Sequence, residues 1–268
     1  MRKLGFLTIF TLIFTLAGCG DSACYNKLKE VDSLSEKGFT DSAQKALEAI
    51  EQTYKIKDGK DRAYYSLLKY QLQFRNKFKY NDYDVDNCLI NYSITYYTKH
   101  RNNNKLALCF YLKGRMSDNK DAIRYLKEAE KNAMNTHNNS LKMRIFCCIS
   151  VINHQNEDYT TALKYYQKAI FYGEKAIKES NNQQNIEYLI PCYANISDTY
   201  NNIGDSDSCI FYAYKSLNLL NIASNDQKLH IYLNVAAANE KIDTIKAKEY
   251  ALKSLDIEKT NNAYQILA

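Results

Sequence analysis

The chain has 268 residues, enough to bury a large core, and carries a formal net charge of +6. A single proline, eight glycines and no tryptophan are typical of a nearly all-helical protein. The positive and negative residues are interleaved, which argues against the clustered basic surface of a nucleic-acid-binding protein.

The first 18 residues have the pattern of an export signal. Arg2 and Lys3 precede an apolar run over 4–16, which is too short to span a bilayer as a mature helix. The run leads into Leu-Ala-Gly-Cys at positions 16–19, which resembles a bacterial lipobox. The resemblance implies removal of residues 1–18 and attachment of acyl chains, such as palmitate, to Cys19. The alternatives are an ordinary secretory signal with an incidental cysteine, or a membrane anchor.

After cleavage the formal charge falls to +4, and residues 19–26 are predicted to form a lipidated tether. Apolar residues three and four apart then predict one amphipathic helix after another. In chain order, the predicted helices cover 28–34, 41–50, 63–78, 86–97, 105–116, 122–129, 141–153, 162–178, 193–200, 209–217, 231–235 and 247–258.

The stretch 193–217 carries the most informative pattern. One helical face is predicted to present Tyr193, Ile196, Ser197 and Tyr200, and Gly204 can end that helix in the left-handed conformation. The next helix has small residues at positions 209, 213 and 216, where it can lie close against the first. This arrangement resembles a tetratricopeptide repeat (TPR), whose signature is W-x2-L-G-x2-Y followed by A-x3-F.

A small residue, alanine or cysteine, recurs near the start of each predicted second helix. The series is Ala43, Cys88, Ala122, Ala162, Cys209 and Ala247, with spacings of 45, 34, 40, 47 and 38 residues. The ideal repeat is about 34 residues, so these repeats are degenerate. We therefore predict an all-α, TPR-like solenoid of helical hairpins over 27–268, with about six degenerate repeats. Residues 261–268 resemble the opening of a further, incomplete repeat, and an unrelated helical bundle is the alternative fold.

The order of parts also resembles a group of TPR lipoproteins of the Bacteroidota type. The similar strings lie at 41–47, 61–68, 86–90 and 106–114. Longer members of that group carry a transmembrane helix and a cytoplasmic helix-turn-helix or signalling module after the repeats. The resemblance therefore leaves open a sensory, ectodomain-like relative of TPR-containing regulators.

Catalytic, cofactor and metal-binding motifs are absent from the sequence. It has no P-loop, no G-x-G-x-x-G, no G-x-S-x-G and no H-E-x-x-H, and its four histidines are dispersed. None of the cysteines forms C-x-x-C, and Cys88 and Cys209 stand where a repeat needs a small packing residue. We expect neither enzyme activity nor a metal or other cofactor, although an envelope enzyme without a local motif is a third class of function.

The first helices of such a solenoid line its concave face, where a partner would bind. Extending the spacing of 193–200 to neighbouring repeats predicts polar positions interspersed with aromatic residues, which suits an extended peptide or a helix. The candidate partner-binding residues are Tyr111, Arg115, Arg144, His154, Asp198, Asn201, Asn202, Tyr232 and Asn239. For each of them, the alternative is a solvated surface residue.

These observations favour a lipid-anchored scaffold of the cell envelope that binds a protein or peptide partner and no nucleic acid. A glycan- or nutrient-binding outer-membrane lipoprotein is an alternative, although the aromatic platforms of such proteins use tryptophan, which this chain lacks. Only Asp21 is acidic just after Cys19, whereas surface-displayed lipoproteins of the related group carry several acidic residues there. The periplasmic face is therefore favoured over the cell surface.

We predict that Cys19→Ala abolishes acylation and leaves the unprocessed precursor, because the thiol of this residue receives the lipid in the lipobox interpretation. Labelling cells with a fatty-acid analogue and measuring the mass of the product tests this. Incorporation that survives the substitution would exclude Cys19 as the anchor.

Overall fold

A computed structural model describes residues 22–56, 58–80, 86–180 and 182–267. The predicted signal at 1–18 and the predicted lipidation site Cys19 lie outside the described residues. The described chain is α-helical, with one 3-10 turn at Leu220–Ile222 and no strand in the ranges given. The helices are α1 (Ala23–Glu36), α2 (Thr40–Thr53), α3 (Lys60–Tyr80), α4 (Asn87–Lys99), α5 (Asn103–Arg115), α6 (Asn119–Met134), α7 (Asn139–Gln155), α8 (Tyr159–Glu179), α9 (Gln183–Ile203), α10 (Ser206–Leu217), α11 (Asn225–Asn239), α12 (Thr244–Leu255) and α13 (Asn261–Leu267).

Consecutive helices pack as hairpins, α1 with α2 through α11 with α12, and α13 packs against both α11 and α12. Each first helix also contacts the first helix of the next hairpin, from α1 and α3 through to α11 and α13. The odd-numbered helices therefore form an inner layer and the even-numbered helices an outer one. This arrangement confirms the predicted all-α, TPR-like solenoid. None of the helices described here combines the length and apolarity needed to cross a bilayer.

Every second helix places the same turn of its apolar face against its hairpin partner. The fourth residue of each is at most 4% exposed, and these residues are Ala43, Ile90, Ala122, Ala162, Cys209 and Ala247. An aspartate stands at the N-cap of five of these six helices, at positions 86, 118, 158, 205 and 243. Four of these carboxylates accept a hydrogen bond from a backbone N–H in the first turn, which fixes where the helix starts.

The structure corrects the predicted packing role of Cys88, which is exposed. Asp86 caps α4 by accepting a hydrogen bond from Cys88 N at 2.8 Å, so the fourth residue of the helix is Ile90. Ile90 is fully buried and takes the position assigned to Cys88. The preference for a small residue misplaced the packing position of this helix by two residues. Cys209, by contrast, is buried as predicted, and its carbonyl accepts a hydrogen bond from Ser197 Oγ at 2.8 Å.

The first helix also begins earlier than expected. Residues 23–26 were predicted to belong to the tether, but α1 starts at Ala23 because the Ser22 hydroxyl accepts a hydrogen bond from Tyr25 N. Ser22 Oγ further donates to Asp61 on α3 at 2.7 Å, and Cys24 is buried in the first hairpin. The helical repeat therefore already includes these residues.

The single proline lies inside α9, where it removes a backbone hydrogen bond. Pro191 has no N–H to donate to the carbonyl of Glu187, four residues before it. Gln227 of α11 donates to that carbonyl instead, through Nε2 at 2.9 Å. Asn234, also on α11, donates from Nδ2 to the carbonyl of Ala194 at 2.8 Å. Side chains of α11 thus hydrogen-bond directly to the backbone of α9.

We predict that Ala162→Leu or Ala213→Leu destabilises the protein by about 1–3 kcal/mol through overpacking. Both alanines are fully buried between helices, so added methyl groups have no space without displacement of a neighbour. Chemical denaturation measures the loss. Ala49→Leu is the matched control, because Ala49 is exposed on an outer helix. Equal stabilities for all three variants would contradict this helix packing.

Candidate functional site

The inner layer curves until its first and fifth hairpins approach each other. A Cβ added at Gly38, just after α1, would lie 2.9 Å from Gln184 Nε2 in the first turn of α9. These residues are far apart in sequence, so the approach results from the curvature of the solenoid. It partly encloses a space between the first helices.

We call this space the inner pocket. It has a volume of about 230 Å³ and receives side chains from α1, α3, α5, α7 and α9, from the N-caps of α7 and α9, and from Ser180 at the end of α8. It is lined by Asp32, Glu36, Gln71, Arg75, Asn104, Lys105, Leu108, Asn138, Ser140, Leu141, Arg144, Ser180, Asn182, Gln184, Asn185 and Tyr188. Charged and amide side chains dominate this list.

The α1 side of the inner pocket carries the negative charge. Asp32 forms an ion pair with Lys105 of α5, with Oδ2 2.7 Å from Nζ, and also accepts a hydrogen bond from the hydroxyl of Tyr64. Both side chains of the ion pair are mostly buried, 13% exposed for Asp32 and 20% for Lys105. One turn further on, reduced solvation and the charge of Asp32 raise the pKa of Glu36, although Lys105 and two arginines of the pocket act in the opposite direction.

Two guanidinium groups also belong to the inner pocket. Arg75 of α3 donates from Nη1 to the carbonyl of Ser35 at 2.6 Å. Burial lowers the pKa of Arg75, and the positive charge of Arg144 acts in the same direction. The guanidinium of Arg144 lies 5.1 Å from the ring centre of Tyr111 and 5.3 Å from that of Tyr188. These two cation–π contacts hold Arg144 in place without neutralising its charge.

Two buried polar atoms of the inner pocket lack a hydrogen-bond partner among the described residues. One is the acceptor Gln71 Oε1, and the other is the donor Arg144 Nε. Gln71 is only 7% exposed, and its Nε2 donates a hydrogen bond to Ser35 Oγ at 3.2 Å. Leaving such atoms unpaired costs free energy, and functional sites are one place where this occurs.

The structure brings three of the predicted partner-binding residues together beside the pocket. Tyr111 is 3% exposed, so its ring packs against the guanidinium of Arg144 and is not accessible to a partner. Arg115 donates from Nη1 to the Tyr111 hydroxyl at 3.1 Å. Of the three, only Arg144 lines the inner pocket.

A second predicted pair lies at the other end of α7. His154 contacts Thr199 Oγ1 through Nδ1 at 2.8 Å and Asp198 Oδ2 through Nε2 at 3.3 Å. Burial raises the pKa of Asp198, and His154 opposes that shift. Asn201 and Asn202, on the same helix α9, are exposed.

The predicted residues of α11 lie apart from both groups. The ring of Tyr232 packs 6.0 Å from the ring of Tyr250 on α12, measured between centres. Asn239 is 4% exposed and donates from Nδ2 to the carbonyl of Val235 within its own helix. This contact leaves the Asn239 side chain within the helix packing rather than on an open face.

Most of the residues that form the pocket are not among the candidates that the sequence pattern predicts; examples are Asp32, Gln71, Arg75, Lys105 and Tyr188. The available signal was the recurrence of polar residues beside the apolar face of successive first helices. Extending the inner-face positions to α1 and α3 would have included Asp32 and Gln71. The approach of Gly38 to Gln184 has no local signal.

This arrangement can bind a ligand through ion pairs, hydrogen bonds and stacking. Of the described residues, neither a histidine nor a cysteine lines the inner pocket. In the part of the chain that the structure describes, no three His, Cys, Asp or Glu side chains come together in a group that could hold a metal ion.

Solved structures with related folds include a Rap protein complexed with Competence and Sporulation Factor, RapI in its apo form, and NprR in complex with its cognate peptide NprX. The Rap complex has a TM-score of 0.62 at 14% identity over 87% of this chain, and RapI has 0.62 at 14% over 92%. NprR has 0.58 at 18% over 90%. This chain spans 65% of the Rap protein, 69% of RapI and 70% of NprR. At these identities the similarity shows the TPR-like fold alone.

No family model matches the sequence, and no curated protein does.

We predict that Asp32→Ala destabilises the protein by roughly 2 kcal/mol, because it leaves the mostly buried Lys105 charge and the Tyr64 hydroxyl without this acceptor. Thermal and denaturant unfolding measure the loss. Asp121→Ala is the control, because its ion pair with Arg124 is exposed and contributes at most about 1 kcal/mol. Similar losses for both variants would mean that the Asp32 cluster does not hold α1 to α3 and α5.

Proposed function

We propose that this protein is a lipid-anchored scaffold of the cell envelope that binds a protein partner through the inner face of its helical repeats. The observation that carries the proposal is the convergence of five successive first helices on one polar, partly enclosed pocket. A pocket assembled from so many repeats depends on the curvature of the whole solenoid.

The chemistry of the inner pocket fits a peptide segment. Extended peptides offer a carbonyl acceptor and an N–H donor at every residue, and amide side chains can pair with both. Gln71, Asn104, Asn138, Gln184 and Asn185 place such amides on four different helices or their caps. The exposed ring of Tyr188 adds an aromatic contact at the same site.

Two related solved structures support a peptide as the partner. One is described as a complex with Competence and Sporulation Factor, and the other as a complex with a cognate peptide. Because these proteins share the fold of this chain at low identity, their ligands favour a peptide here without identifying it.

The anchor is the second part of the proposal. The order of a basic start, an apolar run and Leu-Ala-Gly-Cys at 16–19 supports export and acylation at Cys19. A scaffold held in this way would act at the membrane surface, on the periplasmic face in preference to the cell surface. Lipid attachment would confine partner binding to that compartment.

Site-specific photocrosslinking in cells that produce the protein tests partner binding at the inner face. We expect p-benzoylphenylalanine in place of Tyr188 to crosslink a discrete partner. The matched control puts the same group in place of Phe171, which lies on the outer helix α8 and is more exposed, 58% against 37%. Equal or stronger capture from position 171 would contradict an inner binding face, and absence of capture from both positions would contradict the scaffold.

A further inference from the structure

The charges of the inner pocket are not balanced within the protein. Asp32 and Lys105 neutralise each other through their 2.7 Å ion pair. Among the described residues, no carboxylate lies within ion-pair distance, 4.0 Å, of Arg75 or Arg144. The charges of both guanidinium groups act to lower the pKa of Glu36, but its carboxylate forms an ion pair with neither. Two partly buried cations therefore face one pocket without a direct counter-ion.

Such an arrangement is unfavourable unless an anion enters. Two like charges in a poorly solvated site repel each other, and each also loses hydration. The cation–π contacts with Tyr111 and Tyr188 hold the guanidinium of Arg144 but leave its Nε–H without an acceptor among the described residues. An oxygen anion placed there would accept this hydrogen bond and reduce the repulsion from Arg75.

Gln71 needs a hydrogen-bond donor, whereas Arg144 needs an acceptor. Its Oε1 is a buried acceptor without a partner among the described residues, while its Nε2 donates a hydrogen bond to Ser35 Oγ at 3.2 Å. A ligand that satisfies this atom must donate a hydrogen bond. An anion alone would satisfy Arg144 and leave Gln71 unpaired, whereas a carboxylate next to a peptide N–H satisfies both.

We propose that the inner pocket binds a carboxylate of a peptide ligand at Arg144 and Arg75, while Gln71 accepts a hydrogen bond from a peptide N–H. This inference rests on the proposed peptide-binding function and specifies its ligand. The carboxylate is either the C-terminus of the partner or an aspartate or glutamate side chain within it.

The dimensions of the pocket limit how much of the ligand it contains. Its volume of about 230 Å³ is below the roughly 300–1,000 Å³ of small-molecule pockets. The approach of Gln184 to Gly38 closes part of its rim. The pocket therefore holds one or two residues of the partner, and the remaining residues lie on the exposed part of the inner layer.

Three pools of N-acetylated pentapeptides separate the possible outcomes by equilibrium dialysis and mass spectrometry. The first pool has a free C-terminal carboxylate and no Asp or Glu. The second has an amidated C-terminus with one Asp or Glu, and the third is amidated without acidic residues. We expect retention of the first pool if the terminus is the ligand, of the second if a side chain is, and weak retention of the third in either case.

Substitutions link the retained carboxylate to the pocket. Arg144→Gln and Gln71→Ala should each weaken binding of the retained pool about tenfold, the effect of losing one charge-assisted or buried hydrogen bond. Arg124→Gln is the control, because Arg124 is exposed on α6 and pairs with Asp121 outside the pocket. Circular dichroism melting of each variant confirms that it is folded.

Each contrary outcome has a distinct meaning. If the third pool binds as tightly as the others, or Arg144→Gln binds like the Arg124→Gln control, the carboxylate assignment is wrong while peptide binding stands. If no pool is retained at millimolar peptide concentration, the proposed peptide-binding function is wrong and this inference fails with it.

Discussion

Close contact between the two helices of each hairpin is the constraint on which this structure depends. A Cβ added at Gly114 of α5 would lie 2.9 Å from Leu126 Cγ on α6, and one added at Gly173 of α8 would lie 2.6 Å from Met143 Sδ on α7. Small residues at these crossings bring the helix axes together, so apolar side chains further along each helix interlock. At the crossing of α3 and α4 the corresponding residue is the larger Ile90. The Asp86 cap still makes it the fourth residue of its helix, as in the other second helices.

Hairpins held this closely can stack into a curved inner layer, and the curvature gathers side chains that are remote in sequence. Asp32, Lys105 and Arg144 come from three different repeats, yet they share one pocket. The Asp32–Lys105 ion pair joins the first and third repeats, and Gln227 and Asn234 join the fifth and sixth by hydrogen bonds to backbone carbonyls. Polar contacts therefore link repeats along the same layer that forms the candidate site.

The candidate site was only partly accessible from the sequence. Arg144 was identified because it follows the spacing of the best-matching repeat, and the pocket indeed includes it. Tyr111 and Asn239 have the same spacing but are buried. Spacing gives the direction of a side chain, but it does not show how closely the neighbouring helices cover that side chain. Gln71 and Arg75 lie on α3, whereas the candidate residues begin on α5, so neither is among them.

The sequence by itself determined the helices, their pairing and the TPR-like class, because helix periodicity, capping and small-residue crossings act within one or two turns or between adjacent helices. It also supplied the predicted signal and Cys19, which are read from residue order alone. Only the tertiary structure decided which charges meet and which stay unpaired. Small rotations between successive hairpins add up over five repeats, and their sum, encoded in no single segment, places Gly38 against Gln184 and closes the pocket.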